Sequence, residues 1–305
     1  MAIIAVGSIA YDGIKTVRGE RERVLGGSLT HFSNAASFLS RPRLVGVIGN
    51  DFLPGDRDFL SSKSSSMEGV ELLEGEKCFF WKGYYSDDFN TAHTLITELN
   101  AFAKFQPKVP DSYRKGGDIL FLANIDPEIQ KRVADQCPQA KLKVLDTMNY
   151  WIEQHREKLD AAVRSVDGIV INEGEAALLT GEKQVLDAAD SLFRLYGNLS
   201  LVIVKKGSNG VMVFGRGWQV TLPAFPVREV TDPTGAGDSF AGAFMSWLDR
   251  NRMIRLDQAA ARKAVAYATV VASFAVEGFG VEGISRRTNA EVRIRYQAYR
   301  RMASF

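Results

Sequence analysis

The chain has 305 residues, of which 46% are hydrophobic and 24% are charged, and it carries a formal net charge of +2. This composition is typical of a globular chain with a substantial core, and the near-neutral charge gives no support for a nucleic-acid or membrane-surface partner. Two cysteines without metal-ligand spacing and only three histidines argue against a disulfide framework, a zinc site and histidine-based catalysis.

The amino-terminal residues predict a short buried strand over residues 2–9, because they are apolar and reach a Gly-Ser pair near their end. No basic segment precedes this stretch, which argues against a signal peptide, and no apolar run approaches membrane-spanning length. We therefore expect a cytoplasmic protein. Asp12 follows the strand closely, either as an ordinary turn residue or as a ligand contact.

Two segments in the first third of the chain predict a small β layer. Residues 13–25 alternate charged and apolar side chains, as strands with one exposed face do. Residues 76–102 combine an aromatic cluster, the run Asp87-Asp88-Phe89-Asn90 and a threonine-rich alternating stretch. We expect the two segments to fold together as a lid.

The stretch between these segments predicts a helix, a strand and a second helix. Gly26 and Gly27 precede a helix over residues 29–39 for which Ser28 is the expected cap. A buried strand is predicted over residues 43–48, and a helix over residues 55–66 ends in a serine-rich exposed turn. The turn from Gly46 to Asp51 fails as a dinucleotide fingerprint, because the third glycine and its helix are missing.

From residue 117 onward strand and helix patterns alternate, which predicts βαβ units and a parallel sheet. The predicted strands are 118–123, 142–146, 168–172 and 200–205, with helices at 127–136, 150–165, 174–180 and 185–195. A hairpin (211–214 with 218–222), a long helix (256–276) and a final helix (288–303) follow. We expect an α/β fold in which a doubly wound, mostly parallel sheet carries helices on both faces. The whole would form a single domain over residues 1–305, with the lid built from about 13–25 and 76–102.

Polar residues lie at the ends of two of these strands. Asn172 and Glu175 follow strand 168–172, and Lys205, Lys206 and Gly207 follow strand 200–205. Ligands of an open parallel sheet bind beyond the carboxyl ends of its strands, so we expect these residues to converge on one edge. By itself the spacing of Asn172 and Glu175 indicates a helix capping box.

The most informative stretch covers residues 231–248, Thr-Asp-Pro-Thr-Gly-Ala-Gly-Asp followed by a helix of alternating small and large apolar residues. Gly235, Ala236 and Gly237 lack the bulk that would keep another molecule away from the backbone. Because they lead into a helix, unpaired amides and the positive end of the helix dipole meet at one point, which favours a phosphate. Asp238 lies at that point, either as a helix cap or as a general base beside a phosphoryl group.

This stretch resembles the signature of the ribokinase-like (PfkB) carbohydrate kinase family, which reads Asp-Thr-x-Gly-Ala-Gly-Asp before a small-residue-rich helix. Pro233 stands at a turn position where the family usually has Thr. No P-loop sequence and no protein-kinase motif set is present. The family's other patterns occur in its order, at Gly7 to Asp12, Gly26-Gly27 with Asn34, Gly46 to Asp51, and Asn172 with Glu175.

The resemblance implies a kinase that requires ATP and Mg²⁺. Asp238 would take the proton of an acceptor hydroxyl, and the amides of Gly235, Ala236 and Gly237 would hold the developing charge. The loop at residues 278–283, with Ser273, would line the adenine pocket. The remaining implied contacts are Asp12, Gly26, Gly27 and Asn34 for the acceptor, Lys205, Gly207, Asp232 and Ala272 for ATP, and Asn172 and Glu175 for Mg²⁺.

The acceptor stays open at this stage. A sugar is the first interpretation, and a nucleoside is the alternative, because aromatic side chains of the lid offer stacking surfaces for a nucleobase. The same rings also suit a small lid core or an interface between two copies of the chain, so a homodimer through the lid is a further expectation. These rings belong to Phe79, Phe80, Trp81, Tyr84 and Tyr85.

Three further interpretations accompany this one. A phosphosugar acceptor would need cations, for which Arg18, Arg21 and Arg23 are the candidates. His31 either packs locally or touches the substrate. From a different class, a non-catalytic sugar- or nucleotide-binding protein could keep the fold, but its usual mark is the loss of the acid at position 238, which this chain retains.

Overall fold

The structure is a computed structural model that describes residues 1–86, 89 and 91–303; Asp87, Asp88 and Asn90 of the predicted lid lie outside these residues. In chain order the strands are β1 (Ile3–Val6), β2 (Ala10–Thr16), β3 (Gly19–Gly26), β4 (Arg43–Gly49), β5 (Ser66–Leu73), β6 (Phe79–Tyr85), β7 (Ala92–Glu98), β8 (Ile119–Leu122), β9 (Leu142–Asp146), β10 (Gly168–Asn172), β11 (Leu201–Lys205), β12 (Val211–Gly215) and β13 (Trp218–Leu222).

The helices of the described residues are α1 (Ser28–Ala36), α2 (Pro54–Lys63), α3 (Asp111–Arg114), α4 (Pro127–Gln136), α5 (Asn149–Gln154), α6 (Arg156–Val163), α7 (Glu173–Thr180), α8 (Val185–Leu195), α9 (Ala236–Arg250), α10 (Gln258–Ala275), α11 (Glu282–Ser285) and α12 (Asn289–Met302). Two short 3₁₀ turns cover Asn100–Lys104 and Gly207–Asn209. No helix in the described ranges is long and apolar enough to cross a membrane.

The main sheet has nine strands in the order β13-β12-β11-β10-β9-β8-β1-β4-β5. Neighbours from β11 through to β5 are parallel, and only β12 and β13 at one edge pair antiparallel. The central strands are continuous apolar runs buried on both faces, as parallel strands under helices require. The prediction of a mostly parallel α/β sheet is therefore confirmed.

Apolar side chains pack against both faces of the main sheet. The core on one face holds Phe32, Phe121 and Phe244, where α1, α9 and α10 cover the sheet. The core on the other face includes Val133 and Leu159 from α4 and α6. Residues along β1 alternate between the two cores, because successive side chains of a strand point to opposite faces. The sheet is thus covered by helices on both sides, as predicted.

Helices α1 and α9 pack unusually closely, and this contact places the amino ends of both helices together. A Cβ atom at Gly242 would lie 2.2 Å from the carbonyl oxygen of Phe32, so only glycine permits the approach. One turn from its start, α1 places the ring of His31 against Gly235, the residue that precedes α9. The signature turn and the paired glycines before α1 therefore border the same region.

Four strands form a second, smaller sheet in the order β3-β2-β6-β7, here called the small sheet. It combines both segments that the sequence analysis assigned to the lid. Thr16 Oγ1 donates a hydrogen bond of 2.8 Å to the carbonyl oxygen of Thr231, which joins β2 to the signature turn. Leu95 and Ile96 on β7 are exposed. Pairing of two copies through this sheet stays a prediction.

Several local predictions are wrong. Ser28 is not the cap of α1, because Gly27 occupies that position at φ 90° and the Ser28 hydroxyl pairs with that of Ser8 at 3.1 Å. Of the two alternatives for Asp12, the turn residue is excluded because Asp12 lies within β2, and the ligand contact stays a prediction. The helix predicted over residues 150–165 is divided into α5 and α6 at His155. Strand β5 was missed altogether.

Candidate active site

Three adjacent strands of the main sheet end in polar residues at one edge. Asp146 closes β9, Asn172 closes β10 and Lys205 closes β11. The strand register pairs Val170 with Asp146 and Asn172 with Lys205, so the three ends lie side by side. The Lys205 ammonium pairs with Asp146 Oδ2 at 3.2 Å. This edge is where ligands of open parallel sheets bind.

The amino end of α9 faces the same place. Gly235 precedes the helix at φ 72°, in the left-handed region that favours glycine. A Cβ atom at Gly237 would lie 2.9 Å from Lys205 Nζ, so the ammonium group lies directly beside the first turn of the helix. Asp238 is part of that turn and is partly exposed. The amino end of α9 and a lysine thus meet at one point, an arrangement suited to phosphate; of its first amides, that of Ala236 donates to the Pro233 carbonyl at 3.2 Å.

Four buried or partly buried carboxyl groups surround this point, and each has a raised pKa. The pKa of Asp238 is raised to about 7, by burial first and by the charge of Asp146 second, while Lys205 acts in the opposite direction. Burial also raises the pKa of Glu175 to about 7, with Lys205 opposing and Asp146 adding to it. For Asp12 burial again raises the pKa to about 7, followed by the charge of Asp232. The pKa of Asp146 is raised by burial as well.

The direction of the pKa shift of Lys205 follows from the negative charge of these carboxyl groups. Burial alone lowers the pKa of an ammonium group, but Asp146, Glu175 and Asp238 together outweigh burial and raise it. Lys205 is therefore a cation held among acids, about one-fifth exposed. Lys206, in contrast, forms a 3.4 Å ion pair with Glu173.

Asn172 and Glu175 form the capping box that their spacing indicates. Asn172 Oδ1 accepts from the Glu175 amide at 2.8 Å, and Glu175 Oε2 accepts from the Asn172 amide at 2.7 Å. Glu175 Oε1 accepts no hydrogen bond from a described residue. Within the described ranges, no group of three or more His, Cys, Asp or Glu side chains is arranged to hold a metal alone. A free carboxylate oxygen beside a phosphate site still fits Mg²⁺, which keeps several waters and needs one or two protein groups.

Asp12 and the paired glycines meet across the small sheet. A Cβ atom at Gly26 would lie 1.9 Å from Asp12 Oδ2, so glycine is required beside this carboxylate. The Gly27 amide donates a hydrogen bond to Asp12 and lowers its pKa, though less than burial raises it. The charge of Asp238 also raises the pKa of Asp12, so the two acids lie close enough to interact electrostatically.

Asn34 and His31 lie deeper in the same region. The Asn34 amide donates to the Val281 carbonyl at 3.1 Å, while its Oδ1 has no hydrogen-bond partner among the described residues. Burial lowers the pKa of His31 to about 4, so its ring is neutral at physiological pH. The ring fills the space above Gly235. Local packing, one of the two alternatives for His31, is therefore observed.

The carboxylate of Asp232, which was predicted to contact ATP, is hydrogen-bonded to the backbone through both of its oxygens. It is fully buried, and its two oxygens accept from the amides of Thr234 and Gly280, each at 2.9 Å. Both oxygens are thus occupied by backbone. Asp232 thereby joins the signature turn to the glycine-rich loop, and its contact with the nucleotide stays a prediction.

A cavity of about 580 Å³ opens beside the start of α9. Lys205, Gly207 and Gly237 line one part of it, and Ala272 lines another, with Ser273 beside it. The rest of the wall is largely apolar and comes from the loop after β13 and from α10. It includes Ala224, Phe225, Pro226, Val227 and Val276.

The three arginines proposed for a phosphosugar are already engaged with the protein. Arg18 forms a 2.9 Å ion pair with Glu229, the guanidinium of Arg21 lies over the ring of Phe279, and Arg23 binds Asp51 at 2.7 Å. Each contact holds the small sheet against a neighbouring loop. Their role as contacts for a phosphorylated acceptor is therefore not supported.

Most of the aromatic residues on β6 pack within the small sheet or against its neighbours. Phe79 stacks on Phe102, Tyr84 stacks on His93, and Trp81 Nε1 donates to Thr94 Oγ1. Tyr85 differs, because its hydroxyl accepts from Thr234 Oγ1 at 3.2 Å. Burial raises the pKa of Tyr85, as do the charges of Asp232, Asp12 and Asp238. Tyr85 is thus the β6 ring that faces the site.

Sequence reasoning missed Asp146 and singled out Tyr85 only as one of five rings. Asp146 closes a correctly predicted strand, so the rule that selected Asn172 and Lys205 would also have selected Asp146. The hydrogen bond of Tyr85 to Thr234 joins residues 149 positions apart, and no local pattern indicates such a contact.

The comparisons with known proteins agree with this arrangement. Residues 82–287 match the family model described as pfkB family carbohydrate kinase. The chain is 27% identical to the cytidine kinase of Thermococcus kodakarensis over 257 residues, which cover 82% of this chain and 89% of that protein.

Solved structures with the same fold cover nearly the whole chain. The nucleoside kinase of Burkholderia thailandensis in complex with inosine has a TM-score of 0.78 at 20% identity and covers 98% of both chains. The ribokinase of Arabidopsis thaliana complexed with ribose and ATP has a TM-score of 0.78 at 20% identity, covering 97% of this chain and 99% of that one. At these identities the likeness shows the fold, which is ribokinase-like as predicted.

Proposed function

Because this chain belongs to the pfkB family of carbohydrate kinases, we propose that its cleft transfers the γ-phosphate of ATP to a hydroxyl of an uncharged polyol, with Asp238 as the general base. The chain is a phosphotransferase with an alcohol group as acceptor, and it is a carbohydrate or nucleoside kinase. One observation carries the residue assignment. Asp238 lies in the first turn of α9 and follows Gly237, which lies beside the Lys205 ammonium and lines a cavity large enough for a nucleotide.

One part of the cavity is lined by a lysine and glycines and another part by apolar side chains, and this difference determines the orientation of the nucleotide. Lys205, Gly207 and Gly237 provide a cation and bare backbone, which suit the phosphates. The apolar wall around Phe225 and Ala272 suits a nucleobase. In this orientation the terminal phosphate lies next to Asp238.

The proposed reaction moves one proton and one phosphoryl group. Asp238 takes the proton of the acceptor hydroxyl as the hydroxyl oxygen bonds to the γ-phosphorus, and the bond from that phosphorus to the bridging β–γ oxygen breaks to release ADP. The amides of Gly235 and Gly237, together with Lys205, stabilise the charge on the transferred oxygens, while the Ala236 amide donates to the Pro233 carbonyl at 3.2 Å and shapes the turn. Asn172 and Glu175 would hold Mg²⁺, largely through water, and Mg²⁺ neutralises phosphate charge when bound.

The acceptor side favours an uncharged molecule. Asp12 and Asp238 are acids, His31 is neutral, and Arg18, Arg21 and Arg23 are engaged elsewhere. An anionic acceptor would meet carboxylates without a compensating cation. Asp12 and the glycine pair instead offer hydrogen-bond partners for neutral hydroxyl groups.

Among uncharged polyols, a nucleoside is the first candidate. The relative named cytidine kinase covers 82% of this chain, and Tyr85 places an aromatic ring at the acceptor side. A free sugar is the second candidate, since the matched family is one of carbohydrate kinases. The cytoplasmic location and the homodimer through the small sheet stay predictions.

The test is the consumption of ATP by the purified protein with Mg²⁺ and a panel of acceptors. The panel holds pyrimidine and purine nucleosides, ribose, fructose, and phosphorylated sugars as the charged control. We expect turnover with at least one uncharged nucleoside or sugar and none with the phosphorylated sugars. Turnover with phosphorylated sugars alone would contradict the acceptor class. Tight binding of one compound without turnover would favour the non-catalytic binding protein.

A further inference from the structure

The guanidinium group of Arg295, on α12, lies directly behind the wall of the cavity. Its Nη1 donates to Ser273 Oγ at 3.0 Å, and its Nη2 donates to Glu277 Oε1 at 2.9 Å. The side chain is 18% exposed, so both bonds are largely shielded from water. Glu277 also binds Arg287 at 2.9 Å, which fixes the carboxylate from a second side.

The same guanidinium contacts two aromatic rings. It lies 3.5 Å from the centroid of Phe274 and 4.9 Å from that of Phe225. Planar guanidinium groups stack well on aromatic faces, and a lysine ammonium cannot reproduce this together with the paired hydrogen bonds. Phe225 and Ser273 are both wall residues of the cavity. Arg295 therefore fixes two parts of that wall without lining it.

These contacts determine which way the Ser273 hydroxyl can act. Ser273 Oγ donates its one hydrogen to the Val270 carbonyl at 2.7 Å and accepts from Arg295. A hydroxyl has one hydrogen and two lone pairs, so one lone pair is left. The Arg295 guanidinium can only donate and so takes one lone pair, and while the hydrogen is bonded to the Val270 carbonyl the hydroxyl has no hydrogen left for the cavity. In this arrangement the Ser273 hydroxyl can accept a hydrogen bond from a ligand but cannot donate one.

We propose that Arg295 is a positioning residue that presents Ser273 as a hydrogen-bond acceptor to the amino group of adenine, so that the site selects adenine over guanine nucleotides. This inference rests on the proposed function, in which the apolar part of the cavity takes the base of ATP. Adenine carries an amino donor at the position where guanine carries a carbonyl acceptor. Two acceptors facing each other leave both without a partner, which costs affinity.

The experiment compares the binding of ADP and GDP by titration calorimetry, because the two ligands share their phosphate and ribose groups. Wild-type protein should bind ADP at least about tenfold more tightly than GDP. Ser273→Ala should bring the two affinities within about threefold of each other. Arg295→Met should do the same, and Arg295→Lys should fall between, since a lysine ammonium can still donate but lacks the planar pair of donors.

Arg293→Met is the matched control, since Arg293 lies on the exposed face of the same helix; its preference for ADP should equal that of wild type. If Arg295 served only the stability of the fold, its replacement would weaken the binding of ADP and GDP equally and leave the ratio of the two affinities unchanged. In activity assays the Ser273 and Arg295 variants should raise the KM for ATP, while the KM for the acceptor stays within about twofold. If Arg295→Met does not fold, Ser273→Ala decides the question.

The outcomes separate this inference from the proposed function. If wild-type protein binds neither nucleotide, the proposed function fails. If it binds ADP and GDP equally well, or if Ser273→Ala keeps the full preference for ADP, the positioning role of Arg295 is overturned while the kinase proposal stands.

Discussion

Asp12 is a buried carboxyl group whose pKa is raised to about 7, first by burial and then by Asp232. Such a group holds its proton more tightly in the folded than in the unfolded chain, so its contribution to stability falls as pH rises from about 4 to about 7. Asp12→Asn cannot titrate. As pH rises from about 4 to about 8, we expect the free energy of unfolding of this variant to increase by up to about 4 kcal/mol relative to that of wild type.

Urea unfolding of ligand-free protein across that pH range measures the difference. His31 opposes the trend in both proteins, because its lowered pKa makes stability rise with pH, and the comparison with Asp12→Asn cancels it. Asp58→Asn, on the exposed surface of α2, is the control for the same substitution at a surface carboxylate, and the difference seen with Asp12→Asn should exceed any difference that it shows. Parallel curves for wild type and Asp12→Asn would contradict the raised pKa.

Gly235 combines a left-handed backbone with a close neighbour, and the two effects can be separated. Its φ is 72° and an added Cβ would lie 2.2 Å from the His31 ring, whereas Gly181 has φ 78° and no neighbour within 4 Å of an added Cβ. Gly181→Ala should therefore lower the free energy of unfolding only by the strain of a left-handed backbone, about 1–2 kcal/mol. Gly235→Ala should cost about 1–3 kcal/mol more, because His31 must move.

The measurement for this pair is again urea unfolding, now combined with the turnover rate. Gly235→Ala should also lose turnover, since its amide belongs to the proposed phosphate site, while Gly181→Ala should not. Equal stability losses in the two variants would show that His31 moves aside freely and that close packing at Gly235 is unimportant.

At the scale of elements, the turn after β4 holds the start of β6. The Asn50 amide donates to the Glu76 carbonyl at 2.8 Å, and Asp51 Oδ1 accepts from the Cys78 amide at 2.6 Å. Asp51 Oδ2 also binds Arg23 of β3 at 2.7 Å. This turn is the Gly46-to-Asp51 pattern of the sequence, and its observed contacts fasten two strands of the small sheet to the main sheet.

Weakening this turn should reduce binding of the acceptor more than binding of the nucleotide, because Tyr85 at the end of β6 lies on the acceptor side of the site. Asp51→Ala removes the partners of both Cys78 and Arg23, and we expect a rise of about tenfold in the KM for the acceptor with little change in the KM for ATP. Asp51→Asn keeps an oxygen for the Cys78 amide and should lie between Asp51→Ala and wild type. Equal increases in both KM values would show a general loss of structure instead.

Elements with strong local signals were predictable to the residue. Strand β10 is a continuous apolar run, and α4 starts with Pro127 behind an Asp126 cap, as helix amino ends commonly do. Strand β5 was not predictable, because its glutamates fall on both faces and its pairing with β4 holds it in place. The break at His155 likewise has no glycine or proline to indicate it.

For the whole molecule, the site forms where the edge of the main sheet meets the small sheet. Asp12, Asp146 and Asp238 come from three distant parts of the chain, and Asp238 interacts electrostatically with each of the other two. Sequence reasoning found most of these residues because strand ends and helix starts carry readable patterns. It did not find the contact between Arg295 and Ser273, since tertiary packing alone brings α12 against α10.

The central claim is that Asp238 removes the acceptor proton while the glycine turn and Lys205 hold the phosphate. The most direct test is single-turnover phosphoryl transfer by Asp238→Asn, using ATP and the acceptor found by the panel, with ADP binding measured on the same protein. We predict a rate at least about 10²–10⁴-fold below wild type, with ADP affinity equal or tighter because a negative charge beside the phosphates is gone. A rate near that of wild type, with ADP bound normally, would contradict the claim.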